Sequence, residues 1–239
     1  MTGGTSGIGL AVAERYVAEG ARVVVCGRDL QRVRVIANTL GPGHVGIACD
    51  LSSVVAIEQL VRDAHRAVGE LDIVFAGAGV AFYKSLADWS EQDFDRLFAI
   101  NAKGQFFTAQ KSAPYMRDGG VIILVGSVAS RLGQPDMAVY AASKAVAPTL
   151  AKNLSADLVP RRIRVVCLTP GPVDTPIFEH GGLSSEAARK KLKEVSQRVP
   201  LGRAGRPSEL AAVAVFLASE ASSYMLGAEV VVDGGKSQL

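Results

Sequence analysis

Tyr140 stands four residues before Lys144 and thirteen after Ser127, a spacing suited to moving a proton. On a helix, residues i and i+4 share a face, so the Lys144 ammonium would stand beside the Tyr140 phenol and draw its pKa down from about 10. A phenol so placed acts as acid or base near neutrality. Ser127 adds a hydroxyl that can donate to an oxygen where negative charge develops. The set points to carbonyl–alcohol redox chemistry.

The elements that must position these groups show in the apolar pattern. Short β-branched runs at Arg22–Cys26, Val45–Cys49, Leu71–Ala76, Val121–Val125, Arg164–Leu168 and Glu229–Val232 read as strands, apolar enough to be buried on both faces. Val54, Ile57, Val61, Ala64 and Val68 fall at helical spacing between two of them, and Phe94, Leu97, Phe98 and Phe106 continue the theme. Alternation of this kind predicts an α/β fold, a doubly wound parallel sheet with helices on both faces. At the start, Thr2-Gly3-Gly4-Thr5-Ser6-Gly7-Ile8-Gly9 opens into the helical pattern Leu10–Glu19. Its glycines permit a tight turn and close backbone approach, and the free N–H groups of a helix start attract a pyrophosphate. Read alone, such a loop could merely turn the chain.

Composition narrows the classes. The 239 residues suit one large domain, 49% of them are apolar, and the net charge of +3 arises from interspersed acids and bases. No run of like charge marks a nucleic-acid or polybasic membrane-binding tail. No apolar run reaches the length of a membrane span, and no signal peptide is visible, so a cytoplasmic location is expected. Cys26, Cys49 and Cys167 sit in strand-like contexts without metal-ligand spacing and read as small buried hydrophobes.

Taken together, the Thr2–Gly9 loop, Asp50-Leu51 after a strand, Asn101, Ser127, Tyr140 with Lys144, Pro170-Gly171-Pro172-Val173-Asp174-Thr175 and Val232-Asp233-Gly234-Gly235 resemble the short-chain dehydrogenase/reductase family over nearly the whole chain. Met116-Arg117-Asp118-Gly119-Gly120 and Pro200-Leu201-Gly202-Arg203 are similar to its branch of bacterial NADPH-dependent secondary alcohol dehydrogenases and carbonyl reductases. The resemblance implies a single Rossmann-like domain over 1–239, with a substrate lid around 176–200. It implies Ser127, Tyr140, Lys144 and Asn101 as the catalytic set: Lys144 also holds the nicotinamide ribose hydroxyls, and Asn101 positions the water that resupplies the proton. Cofactor contacts fall to Gly3, Thr5, Ser6, Gly7, Ile8, Gly9, Arg28, Asp50, Leu51, Gly79, Tyr140, Lys144, Pro170, Gly171, Val173 and Thr175. Gly27 followed by Arg28, where a carboxylate would repel a 2′-phosphate, favours NADP(H), while Asp29 leaves NAD(H) open. Phe82, Tyr83, Val128, Gln134 and Phe178 are expected to border a pocket for a partly apolar ketone or alcohol, and His180 could reach it from the lid. A homotetramer is implied by the resemblance alone.

Two rival readings remain at this stage. A 3-oxoacyl-thioester reductase would use Arg131 for an acyl-carrier phosphate or carboxylate. A non-catalytic dinucleotide sensor or scaffold would account for two departures from the family pattern. Ala76-Gly77 replaces paired asparagines. No residues correspond to the family's first strand, whose loss would forfeit on the order of 10 kcal/mol and suggests a start inside a longer protein.

Overall fold

The computed structural model describes residues 1–239. The β-branched runs form β1 (Val24–Gly27), β2 (Val45–Ala48), β3 (Leu71–Ala76), β4 (Met116–Val125), β5 (Arg164–Pro170) and β6 (Glu229–Val232). Between them lie α1 (Gly7–Ala18), α2 (Leu30–Leu40), α3 (Val54–Val68), α4 (Glu91–Phe98), α5 (Gly104–Ser112), α6 (Ala138–Leu158), the short α7 (Ile177–His180), α8 (Ser185–Ser196) and α9 (Pro207–Ala218). Every strand pair is parallel, β1 with β2 and β3-β4-β5-β6 in that order. The fold is α/β and Rossmann-like, with helices on both faces of the sheet.

Strand β4 shows why the pattern works. Val121, Ile123 and Val125 enter one core with residues of α1 and α9, and Ile122 and Leu124 enter the other with residues of α5 and α6. Successive side chains on a strand alternate between faces, so a continuous apolar run covers both. The strand begins earlier than its apolar pattern suggests. Leu71 pairs with Met116, the register slips, and Ile73 then faces Val121. Gly119, at φ 85°, lies within the slip, in a stretch with no apolar alternation to mark it.

Between β1 and β3 the chain places only Met1 and Thr2. Thr2 bridges Cys26 on one side and Ala76 on the other. Its N–H donates to the Phe75 carbonyl at 2.9 Å, and the Cys26 N–H donates to the Met1 carbonyl at 2.9 Å. The Met1 amino group donates to the Val24 carbonyl at 2.7 Å. Burial holds its pKa below the ordinary amino-terminal value, against a smaller opposing pull from Cys26. Beyond Met1 the seam widens into a cavity of 340 Å³ lined by residues including Tyr16, Val23, Val24, Ile73 and Val74. Helix α1 is fastened beside it, the Tyr16 hydroxyl donating to the Ala214 carbonyl of α9 at 3.2 Å. The three cysteines are free and buried. No helix is long and apolar enough to cross a membrane.

A stretch of about five β-branched residues joined ahead of Met1 would run parallel between β1 and β3, each fully buried side chain contributing roughly 1.5–3 kcal/mol. Calorimetry is expected to show the extended chain melting well above residues 1–239 alone. Equal melting temperatures would show that the seam does not accept a strand.

Candidate functional site

Helix α6 buries one stripe, Tyr140, Ser143, Lys144, Ala147, Ala151 and Ser155, at the three- and four-residue steps of a helical face. Its Ala147 and Ala151 are buried in the core with residues of β4 and β5. Ser155 locks that packing, its hydroxyl donating to the Val165 carbonyl at 2.9 Å and accepting from the Val165 and Gly227 N–H groups at 3.2 and 3.0 Å. The same stripe carries Tyr140 and Lys144 in beside the carboxyl ends of β3 and β4.

There Lys144 Nζ donates to the Val125 carbonyl at 3.1 Å. It lies against Gly79, where a Cβ would come within 2.8 Å of it. Burial lowers the Lys144 amine to about 8, partly opposed by Cys167. Burial also raises the Tyr140 phenol, with the Ser127 hydroxyl pulling the other way. The depressed phenol expected from the Tyr140–Lys144 spacing is therefore not found. Desolvation, invisible in that spacing, dominates, and the lysine is drawn to a backbone carbonyl instead. Ser127 opens the turn after β4, its Oγ accepting from the Ala129 N–H at 3.2 Å, which leaves the hydroxyl hydrogen able to donate.

Asn101 sits in a π-turn, Ala99–Lys103, where α4 passes into α5. Such bulges turn a side chain out of the regular helical phase. Its amide donates to the Val80 carbonyl at 2.8 Å and to Ser143 Oγ at 3.0 Å, and accepts from the Val80 N–H at 2.9 Å. Asn101 thus ties the segment after β3 to α6.

At the other end, α1 starts without a side-chain cap from Ser6, so its first N–H groups have no partner within the helix. A Cβ at Gly3 would lie 2.8 Å from Ala78, one at Gly7 2.9 Å from Thr175, and one at Gly9 2.1 Å from the Gly3 carbonyl. Uncapped donors, the positive end of a helix and a tightly packed glycine loop fit a pyrophosphate. Gly27 is equally constrained, its Cβ position 2.8 Å from Thr5 Cγ2. Asp29 caps α2, accepting from the Gln31 and Arg32 N–H groups at 2.8 and 3.1 Å. The Arg32 guanidinium reaches back to the Thr5 carbonyl at 3.1 and 3.3 Å. Asp50 accepts from the Ser52 N–H and hydroxyl at 2.9 and 2.8 Å. These bonds hold its carboxyl below the usual range, against burial and with lesser help from Arg28 and Arg96.

One cleft of 670 Å³ joins the two ends. Gly3, Thr5, Ser6, Gly7, Ile8, Gly9, Arg28, Asp50, Leu51, Gly79, Tyr140, Lys144, Pro170 and Thr175 all border it. Four expected residues, Gly171, Val173, Asn101 and Ser127, are not among those that border it. Gly171 packs on Asp233, where a Cβ would come within 2.6 Å. Val173 is buried in the core with residues of α9, Asn101 is held as described, and Ser127 lies beside the phenol. Arg32 and His180 border the cleft as well, and neither is among the cofactor residues that the family resemblance implies. For Arg32 the available signal was its place four residues after Arg28, in the first turn of α2. Phe75 also reaches the cleft, and its ring fills the space beside Gly77, 2.2 Å from where a Cβ would stand. An asparagine at position 77 would need that volume.

Beyond Tyr140 the packing is aromatic, formed by residues that do not themselves border the cleft. The Tyr83 ring lies 6.3 Å from that of Tyr140 and 5.3 Å from that of Phe178, measured between centroids. Phe82 packs in the same cluster, with the Arg96 guanidinium 5.6 Å from its ring centroid. Arg131, by contrast, is engaged by Glu229 at 2.6 and 3.3 Å.

A glycine-rich turn into a helix at one end of a parallel sheet, and a buried tyrosine and lysine at the other side of the same cleft, define a dinucleotide-dependent class of oxidoreductase. A family model described as enoyl-(acyl carrier protein) reductase matches residues 3–237. Sorbitol dehydrogenase of Cereibacter sphaeroides is 34% identical, over 98% of this chain and 95% of its own. A short-chain dehydrogenase/reductase of Serratia marcescens superposes with a TM-score of 0.90 at 32% identity, covering 99% of this chain and 96% of that one. A 3-ketoacyl-(acyl-carrier-protein) reductase of Brucella melitensis, solved with NADH, superposes with a TM-score of 0.90 at 29% identity and the same coverage. The chain belongs to the short-chain dehydrogenase/reductase family.

The Lys144 amine has a testable thermodynamic consequence. Between about 8, its value in the fold, and the ordinary 10.5, the unfolded chain keeps a proton that the folded chain has released, so stability rises with pH. From pH 8 to pH 10 this amounts to about 2 kcal/mol. Denaturant titrations are expected to show this gain in the wild type and its loss in Lys144→Met; parallel pH profiles would refute the burial argument.

Proposed function

We propose that the cleft binds NADP(H) and that the chain catalyses reversible reduction of a carbonyl to a secondary alcohol, with Tyr140 exchanging the proton. The observation that carries this reading is that Tyr140, Lys144 and the phosphate loop border a single cleft. When bound, the nicotinamide supplies or takes up the hydride. Tyr140, kept protonated by burial, gives its proton to the carbonyl oxygen in reduction and recovers it in oxidation. Ser127 donates its O–H to that oxygen as charge develops. Lys144 holds the ribose hydroxyls and, when charged, steadies the phenolate that Tyr140 becomes. Asn101 acts by position, fixing Val80 and Ser143 around the path by which water returns a proton to Lys144. Pro170 and Thr175, in the loop that also carries Gly171 and Val173, would hold the nicotinamide end of the cofactor, and Asp50 and Leu51 would hold its adenine.

The preference for NADP(H) rests on charge. Arg28 and Arg32 flank the adenosine end of the cleft. Asp29, the carboxylate that would repel a 2′-phosphate, is committed to capping α2. The whole chain works as one unit with α7 and α8 as its lid. Exposed Phe216, Tyr224 and Leu226 support a homo-oligomeric assembly, and light scattering measures it. The likeness to the Brucella melitensis enzyme keeps 3-oxoacyl-thioester reduction as a second reading. It is disfavoured because Arg131, which would attract the carrier phosphate, is neutralised by Glu229, a carboxylate that also accepts from Thr169 at 2.8 Å. Turnover of acetoacetyl thioesters against simple ketones separates the two. Dinucleotide binding with no turnover on either panel would instead mark a sensor.

Tyr140→Phe is expected to lower carbonyl reduction by about 10²-fold or more, with the NADPH dissociation constant nearly unchanged by fluorescence titration. Retained turnover would end the acid–base assignment. Arg28→Ala is expected to raise the NADPH KM about tenfold while sparing that for NADH. An unchanged NADPH KM would remove the cofactor preference.

A further inference from the structure

His180 closes α7 on the far side of the cleft from Arg28 and Arg32, and two packing anchors hold it there. The segment leading into α7 lies directly on the start of α1, where a Cβ at Gly7 would stand 2.9 Å from Thr175 Cγ2. The far end is pinned at Gly181, where a Cβ would stand 2.2 Å from the Ala81 carbonyl. Between the anchors Phe178 is buried against Tyr83. These contacts seat His180 at the edge of the cleft. Arg32 is fixed from the opposite wall through its hydrogen bonds to the Thr5 carbonyl, and Arg28 follows the end of β1. All three cationic or titratable side chains border the same cleft.

The groups facing this point do not balance. Arg32 and Arg28 both oppose a proton on His180, after burial, which opposes it most, and only Glu179 favours it. Asp29 is spent on capping α2, and Asp50 is held by Ser52 with Arg28 nearby. Two guanidiniums thus act on one imidazole across the cleft, with Glu179 the one carboxylate that offsets them. An arriving phosphate dianion would reverse the balance, because it attracts the proton that the arginines repel.

We propose that His180 is a specificity-determining residue for the dinucleotide, completing with Arg28 and Arg32 a three-cation site for the phosphate monoester of NADP(H) and taking up a proton as that phosphate binds. The proposal rests on the NADP(H) reading of the cleft. It separates the monoester from the pyrophosphate, which NAD(H) also carries and which the N-terminus of α1 receives.

The test is direct binding of NADP⁺ and NAD⁺ to wild type, His180→Gln and Arg28→Ala, by calorimetry at pH 6 and pH 8 in buffers of differing ionisation enthalpy. Glutamine keeps a hydrogen-bond donor and removes the titration. The phosphate's own second ionisation near pH 6 tightens binding as pH rises in every variant, so the informative quantity is the ratio of His180→Gln to wild type. For NADP⁺ that ratio is expected to be about tenfold at pH 6 and close to one at pH 8. Wild type should take up a proton at pH 6 that His180→Gln does not, and NAD⁺ should show neither effect. A ratio near one at pH 6, or an equal loss for NAD⁺, overturns the role of His180. Arg28→Ala keeps the two readings apart. If it leaves NADP⁺ binding unchanged, the cofactor reading itself fails; if it weakens NADP⁺ while His180→Gln is neutral, only the histidine proposal falls.

Discussion

The close approach of α6 to the sheet is the contact on which the site depends. The helix turns Ala147 and Ala151 into the core, packs Leu150, Leu154 and Leu158 at the margin of the same cluster, and is clamped by the three hydrogen bonds of Ser155. This packing is what lets Lys144, on the same stripe two turns earlier, reach the Val125 carbonyl. It also leaves Tyr140 walled in. One packing choice therefore sets both perturbed groups, lowering the amine and raising the phenol through the same loss of water. Small residues in a buried stripe read as weak core formers, yet here they are the condition for the chemistry.

Much of this was legible in the sequence, and the limits are physical. Strand positions could be read because both faces of a parallel sheet are buried, which leaves uninterrupted apolar runs such as Val121–Val125. The phosphate loop could be read because only glycine fits where Gly3 meets Ala78 and Gly9 meets the Gly3 carbonyl. The register slip at the start of β4 was hidden, since Arg117, Asp118 and Gly119 carry no apolar signal. The Tyr140 pKa was misjudged because spacing reports neighbours along a helix but not the water removed by the opposite wall. Arg32 was passed over because its partner, the Thr5 carbonyl, lies 27 positions away.

Phe75 and Gly77 illustrate a compensation that neither residue announces alone. The glycine looks like a lost asparagine until the phenyl ring is seen occupying its volume. The strand connection that an asparagine amide would make is supplied in part from elsewhere. The Ala78 N–H donates to Thr2 Oγ1 at 3.4 Å, and Asn101 grips both polar groups of the Val80 backbone. The segment from Gly77 to Val80 is thus held at its two ends, with an apolar ring between them.

The cleft straddles the seam of the sheet. Its phosphate end belongs to β1, α1 and α2, and its catalytic end to β4 and α6. Across the seam the strand-like backbone pairing runs through Met1 and Thr2, while α1 packs on α9 with Tyr16 bonded across and α3 packs on α5 with Lys111 paired to Glu58. A dinucleotide spanning the cleft would engage both halves at once, N–H groups of α1 at one end and Lys144 at the other. Binding energy spent across that seam stabilises the arrangement that binds, as any ligand does for the state it prefers. The alignment of Tyr140 with the glycine loop is therefore set by the seam: whatever loosens it separates the two ends of the cleft.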